Sequence, residues 1–186
     1  MKKRFIVTVA MVTAAFSISA CGNTQASESN SVEYNSGSYK IGKDIPAGEY
    51  VFYAEHDELG VVTVKDGNAA DSEELEFSTF YGNGFFTLDE GMYLNVTDAN
   101  FYPVTEDLRV QYTENDAEYR VGIDIPAGEY NLEATEPGIL GSNVVVKSSS
   151  KVDGYYIEML EFFEGTYSVT VKDGQYIELD GCKIVE

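Results

Sequence analysis

The sequence predicts an all-β protein made of two tandem, related units of the β-sandwich or open-barrel kind. They follow a signal peptide and a disordered tether in a chain of 186 residues. Three observations carry this expectation. A twelve-residue stretch occurs twice, nearly unchanged. Short runs rich in β-branched and aromatic residues recur between turn-forming residues. No stretch of the mature chain sustains a capped helical period.

The repeat sets the organisation. Tyr39-Lys40-Ile41-Gly42-Lys43-Asp44-Ile45-Pro46-Ala47-Gly48-Glu49-Tyr50 returns 80 positions later as Tyr119-Arg120-Val121-Gly122-Ile123-Asp124-Ile125-Pro126-Ala127-Gly128-Glu129-Tyr130. A second correspondence sets Thr87–Leu94 against Thr170–Ile177, at an offset of 83. Residues 39–112 are therefore the first unit and 117–186 the second, joined by 113–116. At roughly 70 residues each unit is small for an independent core, so the two are expected to pack together.

Tyr50–Tyr53, Val61–Val64 and Leu75–Phe80 read as strands, as do Val144–Val146, Tyr155–Ile157 and Tyr167–Val171. Lys65-Asp66-Gly67 and Lys172-Asp173-Gly174 read as hairpin turns. Within the repeated motif, proline presets a turn and holds the preceding isoleucine extended. Gly48 and Gly128 are expected to take the left-handed conformation that releases the chain into the next strand. A rival reading pairs Asp44 with Glu49, and Asp124 with Glu129, as catalytic or metal-binding carboxylates. Repetition favours the mechanical reading, because what both units keep is what their shared fold needs.

The first 20 residues form an export signal. Lys2, Lys3 and Arg4 precede a short apolar stretch, Phe5–Ile18, too brief to span a bilayer. Ile18-Ser19-Ala20-Cys21-Gly22 resembles the lipobox of bacterial lipoproteins. That resemblance implies cleavage before Cys21, a diacylglyceryl group on its thiol whose acyl chains include palmitate, and an anchor on the extracytoplasmic face of the cell membrane. Two acyl chains suffice for stable anchoring. Residues 21–38, rich in Ser and Asn, are expected to be a disordered tether.

The repeated motif, with Val171-Lys172-Asp173-Gly174-Gln175-Tyr176-Ile177-Glu178-Leu179 closing the second unit, resembles a small β-rich repeat. That repeat is found in lipoproteins and surface proteins of Gram-positive bacteria. The resemblance implies a fold and a location but no activity. The first unit departs from it at Glu90-Gly91-Met92-Tyr93.

Charge narrows the partners. The formal charge is −20, and losing Lys2, Lys3 and Arg4 makes it −23. Such an excess disfavours nucleic acid and close apposition to anionic lipid, and it attracts cations or basic partners. With Cys21 committed to lipid, Cys182 has no intrachain partner and reads as a small buried hydrophobe.

The inventory of reactive groups is thin. His56 is the sole histidine, and zinc clusters, nucleotide loops and Gly-x-Ser-x-Gly elbows are missing from the sequence. Asp66, Asn68 and Asp71 offer oxygen ligands for calcium on one loop but lack the regular spacing, so a solvated acidic loop with no metal is expected. Phe80, Tyr81, Phe85 and Phe86 surround a Gly-Asn-Gly turn and form the candidate ligand-binding patch. The expected protein is a non-enzymatic binding or interaction module with a protein or cell-wall partner. Its only expected prosthetic group is the covalent lipid on Cys21. Two alternatives are a carboxylate-dependent carbohydrate-active enzyme and a purely structural envelope lipoprotein.

Overall fold

A computed structural model describes residues 32–56, 58–110, 116–135 and 141–185. The signal segment and Cys21 lie outside the described residues. The first half contains β1 (Gly37–Lys40), β2 (Gly48–Ala54), β3 (Gly60–Lys65), β4 (Glu74–Phe80), β5 (Asn83–Leu88), β6 (Tyr93–Thr97) and β7 (Ala99–Pro103). The second contains β8 (Ala117–Arg120), β9 (Gly128–Ala134), β10 (Asn143–Lys147), β11 (Ile157–Phe162), β12 (Thr166–Val171), β13 (Tyr176–Asp180) and β14 (Cys182–Val185). No helix occurs among the described residues.

The two halves share one topology. In the first, β1-β6-β3-β4 form one sheet and β5-β2-β7 another; in the second, β8-β13-β10-β11 and β12-β9-β14 repeat that order. No sheet closes on itself, so the architecture is a sandwich and not a barrel. Strand alternation fills each sandwich. Val62 and Val64 of β3 face Phe52 of β2 and Phe101 of β7 in the first core, with Thr63 and Lys65 turned away. The Phe52 and Phe101 rings stack at 4.6 Å. Leu132, Val144, Val169 and Ile177 play the same part in the second core, where Cys182 is fully buried.

The repeated motif folds identically in both halves. Ile41 bridges Ile45, as Val121 bridges Ile125. Asp44 Oδ2 accepts the Lys40 N–H at 2.8 Å, and Asp124 Oδ2 accepts that of Arg120 at 2.9 Å. Tyr50 donates to the Pro46 carbonyl at 2.6 Å, and Tyr130 to that of Pro126 at 2.7 Å. Within the motif Gly42 and Gly122 take the left-handed turn, at φ 85° and 89°; of the expected pair that opens β2 and β9, Gly48 has a positive φ of 153° and Gly128 does not. The second repeated turn braces the first. Gly91 N–H meets the Ile41 carbonyl, and Gly174 N–H meets that of Val121, both at 3.0 Å.

Four expectations need correction. Lys172-Asp173-Gly174 is a corner and not a hairpin, because β12 pairs with β9 while β13 pairs with β10 and β8. Lys65-Asp66-Gly67 does open a hairpin, but the connection runs from 66 to 73. The tether read as 21–38 is ordered from its last residues: Tyr34 exchanges backbone bonds with Phe101 at 2.9 and 2.8 Å and stacks on its ring. Beyond β7 the chain has already joined the second half, since Val110 is buried in the second core and donates its N–H to Asp124.

Candidate functional site

The aromatic turn does not form an exposed patch. Phe85 and Phe86 are buried, Phe80 packs against the first core, and only Tyr81, 49% exposed, faces solvent. β4 and β5 belong to different sheets, so Tyr81-Gly82 is a corner, and successive residues of β5 point into different cores. The corner sits tight against the second half: a Cβ on Gly82 would lie 1.5 Å from the Asp116 carbonyl oxygen. Asp66, Asn68 and Asp71 are exposed, and the described residues hold no group of acids, histidines or cysteines arranged for a metal ion. The four motif carboxylates do not converge on one site. Asp44 and Asp124 cap backbone, Glu129 is exposed, and Glu49 reaches into the other half.

What the structure does bring together is the face that the second half turns toward the first. β8, β13 and β10 present Glu118, Arg120, Tyr176, Glu178 and Lys147, and strand β5 of the first half lies against them. The Phe85 N–H donates to Glu118 Oε2 at 2.8 Å, and Asn83 exchanges two bonds with the Glu118 backbone. The Phe85 ring sits 4.9 Å from the Arg120 guanidinium and 5.9 Å, edge-on, from Tyr176. Glu49 accepts from Tyr176 Oη at 2.6 Å and Ser150 Oγ at 2.7 Å. The loop after β10 completes the clasp, with Thr87 N–H on the Ser150 carbonyl at 2.8 Å and Val152 set into the first core.

The charges on this face are paired and largely buried. Lys147 Nζ lies 2.7 Å from Glu118 and 3.0 Å from Glu178. Burial pushes the Glu118 carboxyl up to about 7 against the pull of Lys147. Burial also opposes the charge on Lys147, but Glu118 and Glu178 more than offset it and hold the amine protonated. Arg120 and Asp124 form a second pair at 2.8 Å with side chains 5% and 0% exposed. Burial pushes the Tyr176 hydroxyl up to about 12, and its bond to Glu49 adds to this.

The equivalent face of the first half is open. In register, Ser38 stands for Glu118, Lys40 for Arg120, Tyr93 for Tyr176, Asn95 for Glu178 and Lys65 for Lys147. These side chains floor a groove of about 800 Å³, walled by Gly67–Ala70 of the loop after β3. Lys40 Nζ lies 5.3 Å from the Tyr93 ring centroid, and Ser38 Oγ bonds Asn95 Oδ1 at 2.9 Å. Lys43 joins the rim where the second half has Ile123. One acid lines the groove, Asp44, and it is engaged by the Lys40 N–H and by Lys43 at 3.6 Å. Three of the nine basic residues beyond residue 20 thus gather in one concavity of a strongly acidic chain.

Neither the lysines nor Tyr93 stood out in the sequence, where an isolated lysine is by default a solvated one. Aligning the halves exposes them: basic and aromatic positions are kept, while both acids of the second face become neutral. Chemically, the groove can hold negative charge and lay an aromatic group against a tyrosine and an amine. No protein-family model, curated protein or solved structure matches this chain.

Proposed function

We propose that this protein is a non-enzymatic binding module, held at the outer face of a cell membrane by lipid on Cys21, and that it binds through the open face of its first half. The observation carrying the reading is the groove floored by Lys40, Lys65 and Tyr93, whose counterpart in the same chain is filled by protein. A glycosidase-type enzyme needs two carboxylates across a cleft. This groove has one, already bonded, and that favours binding over catalysis. The anchor rests on the order of Lys2–Arg4, the apolar stretch and the Cys21 motif.

The test is photocrosslinking in living cells with a reactive amino acid at Asn95, inside the groove, or at Asn131, exposed on the far end of the second half. Position 95 is expected to yield adducts in the membrane fraction and position 131 none. Cys21→Ala is expected to move the protein out of that fraction. Equal capture at both positions would remove the groove from the proposal. Membrane retention of the Cys21→Ala chain would remove the anchor.

A further inference from the structure

The two sheet faces differ in a way that specifies the occupant of the open one. In the second half the occupant is a pair of extended strands, β2 and β5, and four kinds of contact hold it. An aromatic ring lies between a cation and a tyrosine. A carboxylate accepts from that tyrosine's hydroxyl. A backbone N–H of the occupant donates to the side-chain carboxylate of Glu118 on β8. The loop after the third strand then bonds the occupant's backbone, Thr87 pairing with Lys151 in parallel register. The first half keeps the parts that hold ring and carboxylate: Lys40 beside Tyr93, the Tyr93 hydroxyl, and Lys65 in the place of Lys147. It also keeps a loop in the same position, now built of Gly67, Asn68, Ala69 and Ala70 and carrying no bulky side chain into the groove.

Charge is what changes. On the covered face Arg120 is paired with Asp124, and Lys147 is held by Glu118 and Glu178. The places of Glu118 and Glu178 on the open face are taken by Ser38 and Asn95, and Lys43 is added, so among the described residues lining the groove Asp44 is the one acid beside three lysines. An occupant must supply the missing carboxylates itself.

From this we infer that the groove takes an extended, acidic polypeptide segment of a partner protein that brings an aromatic side chain and carboxylates. On the covered face two adjacent strands supply these groups, Phe85 from β5 and Glu49 from β2. The inference rests on the reading of this face as the binding site and names what it binds. Lys40 and Tyr93 would hold the ring, and Lys65 and Lys43 would meet the carboxylates.

A displayed library of random twelve-residue peptides tests it, selected against the full mature chain and counter-selected against a Lys40→Ala/Lys65→Ala variant. Both lysines are partly exposed and outside either core, so the variant is expected to fold, which its circular dichroism and denaturant midpoint would verify. Selected peptides are expected to combine Asp or Glu with Phe, Tyr or Trp. They should lose at least tenfold in affinity on the variant, and at least tenfold when the acids are changed to amides. Inorganic polyphosphate, as a phosphate polymer, should compete poorly.

Selection of peptides indifferent to the two lysines, or of peptides without aromatics, would overturn the inference. So would polyphosphate binding more tightly than any peptide, which would make the groove a polyanion site. Binding of the chain to itself through Lys40 and Lys65 would replace the partner protein with a second copy. The failures separate cleanly: adducts from position 95 in cells with no lysine-dependent peptides would leave the site standing and remove the polypeptide as its ligand.

Discussion

Two faces of one molecule, built on the same strands in the same register, have opposite fates. The face of β8, β13 and β10 is buried beneath the first half, while that of β1, β6 and β3 lies open to solvent. The covering surfaces differ in parallel. β2 and β5 cover with Val51 and Phe85, and at the same positions of β9 and β12 the second half has Asn131 and Ser168, both exposed. A stack of two units therefore ends in polar surface on both sides, as terminal repeats of an array must to remain soluble. The lesson is that repetition preserves a docking geometry, and a few side chains decide whether it is used within the chain.

The largest expected effect lies in the paired lysines. Lys147→Met strands the buried Glu118 and the partly exposed Glu178 without their counter-ion and should cost about 3–5 kcal/mol. Lys65→Met changes the homologous position on the open face, where it should stay within about 0.5 kcal/mol. Urea midpoints at neutral pH measure both. Equal losses would mean that the open face bears on stability as the covered face does, and the contrast would collapse.

A smaller effect separates the two motif aspartates. Both carboxyls lie below the ordinary 3.8. Burial works against this at Asp124, but its bonds to Arg120 and to the Val110 and Arg120 backbones outweigh it. At Asp44 the lowering comes first from the Lys40 backbone bond. A depressed carboxylate contributes stability that is whole above the unfolded value, near 3.8, and is lost as pH falls through the lower folded value. Asp124→Asn should thus cost about 1–3 kcal/mol at neutral pH, and the loss should shrink as pH drops below 3.8. Asp44, open to solvent, should leave the acid-unfolding curve almost unmoved when changed to Asn.

Much of the fold was readable from the residues themselves. The alternation in Val61–Lys65 and Tyr167–Val171 is the period of a half-covered strand, and the duplicated motif gave the two halves. Which strands a turn joins was not readable. Tyr81-Gly82 and Lys172-Asp173-Gly174 have the chemistry of hairpin turns yet link strands of different sheets, because a tight turn fixes a reversal and not a hydrogen-bonding partner. Phe85-Phe86 did carry a signal. Adjacent aromatics in a strand require both faces to be covered, and the alternating Ser168-Val169 in the homologous strand requires one. Lys40 and Lys65 became visible only beside Arg120 and Lys147, once the second face was seen to be occupied.

The subtlest prediction rebuilds the covering surface on the free end. Asn131→Val with Ser168→Phe gives β9 and β12 the side chains by which β2 and β5 cover the second half, and Glu129 already stands where Glu49 does. Folding stability should barely change, since both positions are exposed and point away from the second core. The altered end of one molecule would then match the open groove of the next, with the introduced phenylalanine ring able to enter between Lys40 and Tyr93. Such a contact joins unlike surfaces and does not close, so short head-to-tail chains should appear as concentration rises. Light scattering should show mass increasing over the micromolar to millimolar range, with Lys40→Ala/Lys65→Ala abolishing the increase. A doubly substituted chain that stays monomeric throughout would mean the open face has lost the docking geometry as well as its partner. The polar residues on it would then be caps and nothing more.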